Sequence, residues 1–125
     1  MVKTPMASRP KKRAAPSVDS VFRAFSDVTR LRILRLLQQG EVCVCDLVSA
    51  LQVPQPKVSR HLSRLRKAGL VKVRKDGLWC YYTLAPATSA FHGKLIECMA
   101  CCFDQVPSLH EDQVRLKKCA TAKCC

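Results

Sequence analysis

Nine of the 125 residues are cysteines, and eight of them fall in three groups. Cys43 and Cys45 are separated by one residue. Cys98, Cys101 and Cys102 form a C-x2-C-C cluster. Cys119, Cys124 and Cys125 make the third group, and Cys80 stands alone. The count is odd and no apolar export segment is visible near Met1, so a disulfide scaffold is disfavoured and reduced thiols are expected. Reduced thiols bind soft ions in preference to magnesium or calcium, or they act as redox switches. A closed zinc site needs four ligands.

Spacing limits what each group can do. On a regular helix, residues two apart point about 200° away from each other, so Cys43 and Cys45 could not share an ion there. Just ahead of a helix the chain is still extended and both sulfurs can converge. The same position favours the thiolate form. The alternative is two small buried hydrophobes. Cys98 lies one helical turn from both Cys101 and Cys102, so three sulfurs can meet one small ion. Cys98 and Cys102 also lie on an apolar stripe and can simply pack, and both readings stand. Cys119, Cys124 and Cys125 are candidates to capture an ion or supply a third ligand, or are incidental. Cys80 is expected to be a packing residue in a strand.

A second chemistry is written in charge. Lys and Arg number 22 against 9 acidic residues, a net charge of +13. So large an excess destabilises a compact chain unless a polyanion offsets it, which favours nucleic acid as partner. An anionic membrane surface is the weaker alternative, since no long basic amphipathic helix with an aromatic face is present. No apolar run reaches the roughly 18 residues of a membrane span. A cytoplasmic protein is expected.

The elements that must position these residues follow from periodicity. Residues 1–16 carry five cations, three prolines and no acid, and read as a disordered basic arm. Val18 to Phe25 suits a short helix. Ser26 or Asp27 can cap a second, whose stripe is Val28, Leu31, Leu34 and Leu37 and which Gly40 ends. A third runs from about Val44 to Leu51. A fourth starts near Gln55 or Pro56 and stops at Gly69, with Val58, Leu62 and Leu65 on its apolar face. The period then becomes two: Val71 and Val73 alternate with Lys72 and Arg74, Asp76-Gly77 signals a hairpin, and Trp79 to Leu84 returns. From Thr88 or Ser89 to Phe103 a helix is expected with Phe91, Leu95, Cys98 and Cys102 on one stripe and Ile96, Met99 and Phe103 beside it. More than half its circumference is apolar, which implies a dimer interface. After Pro107 a short helix near Asp112 to Cys119 is expected in a Cys-containing tail.

Two short helices with a tight connection, then a β-hairpin, describe a winged helix-turn-helix: mainly α with a hairpin, an α+β fold. The second helix of the pair enters the major groove in such folds. On Gln55 to Ala68, Lys57, Arg64 and Lys67 suit phosphates. Gln55, Ser59, Arg60 and His61 suit base edges, although His61 can equally pack between helices. Arg74 and Lys75 sit at the hairpin tip, placed to reach the backbone or minor groove.

The segments FSDVTRLRILRLL, EVCVCDLVSAL and QPKVSRHLSRLRKAGLVKVRKDGLWCYYTL resemble the arsenical-repressor (ArsR/SmtB) family of bacterial metal sensors over about residues 18–103. The resemblance implies a homodimer formed through the first and long C-terminal helices. It also implies an inverted-repeat operator in double-stranded DNA, and release on metal binding. CVCD is similar to the family's arsenite box, which makes As(III) or Sb(III) the expected inducer, with cadmium or lead second. The usual third cysteine is Val48 here, so a three-sulfur site cannot be completed within the box. His92, His110, Asp104 and Glu111 lack the paired spacing of the family's zinc site. Pro54 stands where a serine often caps the recognition helix. The expected organisation is an arm at 1–16, a DNA-binding and dimerisation domain at 17–104, and a tail at 105–125. An enzyme is disfavoured: Cys98-Met-Ala-Cys101 matches C-x-x-C, but no strand precedes it.

Overall fold

The computed structural model of the chain describes residues 17–102 and 107–122, with side chains for all of these except 102, 107, 108 and 119–122. The N-terminal arm lies outside the described residues.

Helix α1 (Val18–Phe25) starts at Ser17, whose hydroxyl oxygen accepts from the Ser20 N–H at 3.3 Å. Helix α2 (Val28–Leu37) is capped by Asp27, the second of the two residues expected there. Its carboxylate accepts from the N–H groups of Thr29 and Arg30 at 2.8 and 3.2 Å. A side-chain cap is needed because the first turn has no internal partners for those donors. Ile33, Leu34, Leu36 and Leu37 are all buried, so α2 is enclosed on most sides and forms the centre of the molecule.

Helices α3 (Val44–Leu51) and α4 (Gln55–Lys67) are joined by three residues, with Gln52 in the left-handed conformation at φ 57°. Val58, Leu62 and Leu65 are fully buried, as their spacing predicts, and meet Leu47 and Leu51 of α3 in the core. Pro54 caps α4 with no side-chain bond; its carbonyl accepts from Lys57 and Val58 instead.

Strands β2 (Val71–Asp76) and β3 (Trp79–Leu84) form the expected hairpin, paired from Val71–Leu84 to Asp76–Trp79. The two loop residues are Gly77 and Leu78. Only glycine has positive φ (64°), which is the demand of a type II′ turn. A third strand, β1 (Val42–Cys43), adds to the free edge of β3, giving the order β1-β3-β2. Two residues are too few for any periodic signal.

Helix α5 (Ala90–Cys102) differs from its expected stripe. Met99 and His92 are buried, Phe91 and Leu95 are half-buried, and Cys98 is exposed. The larger correction is at the C-terminal side. The segment expected to be a tail with a short helix is α6 (Pro107–Ala122), 16 residues long and packed on α2 and α3. Leu116 joins the core there. Among the described residues no helix is long and apolar enough to cross a membrane.

Candidate nucleic-acid interface and thiol sites

The buried face of α4 fixes what its other face shows. With Val58, Leu62 and Leu65 inward, Gln55, Lys57, Ser59, Arg60, Arg64 and Lys67 are all exposed. Arg60, Arg64, Lys57 and Lys67 form no ion pair among the described residues, so a row of cations projects from one helix. No acidic residue shares the helix.

His61 does not belong to that row. Its side chain is 14% exposed and turns back toward α2. Arg30 donates from Nη1 to His61 Nδ1 at 3.1 Å, and Asp27 lies 3.9 Å from Nε2. Arginine has no acceptor atom, so Nδ1 must be the unprotonated nitrogen and the ring is neutral in this bond. Burial pushes the imidazole below its usual pKa; the Arg30, Arg60 and Lys57 charges act in the same direction, and Asp27 opposes them. The packing alternative holds for this residue: it locks α4 onto the start of α2.

The hairpin tip also divides. Lys75 is exposed and makes no ion pair among the described residues. Arg74 is engaged: it donates from Nε and Nη2 to Glu41 at 2.9 and 2.8 Å, and its guanidinium lies 4.6 Å from the Tyr81 ring centre. The Arg74 bond holds the Glu41 carboxyl below its usual range. An arginine fixed this way anchors the wing to the segment before β1 and is less free to follow a phosphate.

Cys43 is the N-cap residue of α3, extended at φ −71° and ψ 145°, and Cys45 is the second helical residue. Cys43 thus precedes the helix in extended backbone, while Cys45 lies within its first turn. Cys43 is buried, Cys45 half-buried. Cys43 is also the last residue of β1 and pairs with Tyr81. Val48 is half-buried in the next turn. Among the described residues no group of three or more His, Cys, Asp or Glu side chains is gathered to hold an ion. Cys98 and Cys101 are both exposed on α5, and Cys80 is half-buried in β3. The side chains of Cys102 and Cys119 lie outside the described residues, as do Cys124 and Cys125 altogether.

One cluster had no sequence signal. Asp112 of α6 is fully buried and accepts from Arg32 Nε and Nη2, both at 2.8 Å, and from Arg115 Nη2 at 2.9 Å. The same two arginines donate to the last carbonyls of α3: Arg32 to Leu51 at 2.9 Å and Arg115 to Ala50 at 2.6 Å. Those carbonyls are among the four that a helix end leaves unmatched. The clamp thus fixes the end of α3 opposite to the one that carries the thiols.

The comparisons with known proteins agree with this geometry. The profile described as "Bacterial regulatory protein, arsR family" matches residues 27–73, which run from the α2 cap into the first wing strand. The arsenical resistance operon repressor of Escherichia coli K12 is 49% identical over 78 residues, covering 62% of this chain and 67% of that protein. The chain belongs to the ArsR family.

A cadmium resistance regulatory protein CadC homolog of Staphylococcus aureus is 41% identical over 68 residues, covering 54% of this chain and 56% of that relative. Among solved structures, the homodimeric winged helix-turn-helix DNA-binding domain Mb0332 of Mycobacterium bovis is 31% identical with a TM-score of 0.57. It aligns over 66% of this chain and 71% of its own. The ArsR-family chain is thus a transcriptional regulator with a winged helix-turn-helix, and not an enzyme.

Proposed function

We propose that this ArsR-family chain is a cytoplasmic repressor that binds an inverted-repeat operator as a homodimer and leaves it when As(III) or Sb(III) bridges Cys43 and Cys45. The observation that carries the reading is the position of these two thiols, at the N-cap and second residue of α3, the helix that a three-residue connection joins at its other end to α4. Arsenous acid exchanges two hydroxyls for two sulfurs, forming two As–S bonds and releasing two waters. A closed ring at the N-cap resets the backbone there, and α4 follows because Leu47 and Leu51 are packed against its core face. The names of the arsenical-resistance relatives support the choice of ion.

On DNA, Gln55, Ser59 and Arg60 read base edges, and Lys57, Arg64, Lys67 and Lys75 neutralise phosphates. For the dimer, Val18 and Phe22 of α1 and Val28 at the start of α2 support a role of α1 together with α5: they are 57%, 51% and 61% exposed, and the Phe22 ring meets that of Phe91 at a tilt, 5.3 Å between centres. Leaving that much apolar surface in water is unfavourable.

The test is operator anisotropy under arsenite titration. Cys43→Ser with Cys45→Ser should bind operator like wild type and no longer release it. Cys98→Ser with Cys101→Ser should release normally. If the first variant still releases and the second does not, the sensor is on α5. That second reading is favoured by the exposure of Cys98 and Cys101 one turn apart. In its redox form, peroxide alone releases DNA and a reductant restores binding. Cadmium, lead and zinc belong in the same titration, since a relative is named for cadmium resistance.

A further inference from the structure

A cleft of about 210 Å3 lies between α1, the start of α2 and the last turns of α4. Ser20, Arg23, Arg30, Arg64 and Lys67 line it, and no acidic side chain does. Its central group is Arg30, only 9% exposed. Arg30 donates to the carbonyls of Ala24 at 2.9 Å and Arg23 at 3.2 Å, and to neutral His61. All three acceptors are uncharged. A guanidinium has five N–H donors, so one on each terminal nitrogen remains unengaged. Arg30 forms no ion pair among the described residues, and a buried cation without a counter-charge is costly.

The surroundings offset that charge only in part: against the opposing effect of burial, the Arg30 charge helps to hold the nearby Asp27 carboxyl below its usual range, but the two form no ion pair. Arg23 is matched by Asp19 at 3.0 Å. The Asp27 carboxylate is bound to the N–H groups of Thr29 and Arg30. Arg64 and Lys67 have no acidic partner among the described residues. Arg30 also lies in the first turn of α2, where the helix dipole adds positive potential.

We propose that this cleft is an oxyanion site that takes one tetrahedral phosphate group. Its volume has room for one phosphate group and is smaller than the roughly 300–1,000 Å3 of sites that enclose a whole organic ligand. The fork of Arg30 meets one edge of the phosphate, and Arg64 and Lys67 close from α4. The group can come from a duplex backbone phosphodiester or from free orthophosphate. Only the first source rests on the operator-binding reading.

The test begins without DNA. Thermal unfolding of the full chain is followed in sodium phosphate and in sodium chloride of equal ionic strength. At about ten times its Kd, phosphate should raise the folding constant about elevenfold, seen as a Tm several degrees above the chloride control. In Arg64→Gln with Lys67→Gln that difference should vanish. Equal Tm values in the two salts for the wild type overturn the proposal. So does a phosphate effect that survives intact in the double variant, because the ion then binds elsewhere. Operator titrations in the same two salts identify the source. If phosphate weakens operator binding beyond chloride, the occupant is a backbone phosphodiester. If binding is equal or tighter, it is the free ion. Should the protein bind no duplex at all, the unfolding arm still decides the cleft.

Discussion

Replacing Asp112 with asparagine should loosen α6 from the helix-turn-helix, and the cost can be worked from the clamp. Asp112 is completely buried and accepts three charge-assisted bonds from two arginines. Removing one partner of a buried ion pair costs about 3–5 kcal/mol, because the remaining charge is left unmatched. Here Arg32 and Arg115 are 17% and 31% exposed and can recover some hydration. The expected loss is therefore at or somewhat below the lower end of that range, about 2–3 kcal/mol. That is a large share of the roughly 5–15 kcal/mol that holds a domain together. Urea unfolding at pH 7 reads it as a lower midpoint at an unchanged slope. Arg32→Met and Arg115→Met combined with Asp112→Leu should recover most of the loss, since neither arginine is then left facing a missing carboxylate. Amide exchange should quicken at the last turn of α3, where the arginines that donate to the Ala50 and Leu51 carbonyls are no longer fixed by a carboxylate. A loss below about 1 kcal/mol in D112N refutes the reasoning. It would mean that the arginines are held by water and the carbonyls alone.

Three further outcomes are expected. Lys57→Ala should weaken binding to all duplexes alike and reduce the slope of log affinity against log salt by about one; an effect limited to one operator base excludes a phosphate contact. Stability should fall as the pH is lowered from 7.5 to about 5.5. Burial lowers the pKa of both His61 and His92, so the unfolded chain, titrating near 6.5, takes up protons that the folded chain resists. The stabilisation is present above that pH and is lost below it, and a Tm that stays flat or rises contradicts the assignment. Asp27→Ala should cost about 0.5–2 kcal/mol through loss of the α2 cap, measured by the same urea transition.

The helices of the DNA-reading head were legible because each carries two independent local signals. Val58, Leu62 and Leu65 give the period of α4, and its exposed cations follow by exclusion. Asp27 and Gly40 bracket α2 from either end. What was not legible depends on contacts far apart in the chain. Asp112 and Arg32 are separated by 80 residues, and nothing local to either one announces the other. For that reason α6 reads as a polar tail when it is in fact held by a buried carboxylate. His61 illustrates a subtler limit. It lies between the apolar and the basic faces of α4, and only the Arg30 side chain, which comes from another helix, decides its direction. Arg74 has the composition of a wing contact, but its role is set by Glu41, a residue of the loop preceding a strand too short to be seen. At the thiols, residue spacing gave the possibility of convergence at the N-cap, and the extended Cys43 backbone is consistent with it.

The short strand β1 has a mechanical consequence. Cys43 is paired across the sheet with Tyr81, whose ring carries Arg74, and Arg74 grips Glu41 two residues before Cys43. The thiol therefore stands inside a closed loop of contacts that includes the wing, while its own helix leads to α4. A displacement of Cys43 pulls on both of the surfaces that would straddle a duplex. Under the proposed function, an ion bound at Cys43 would therefore act on the wing and on α4 together.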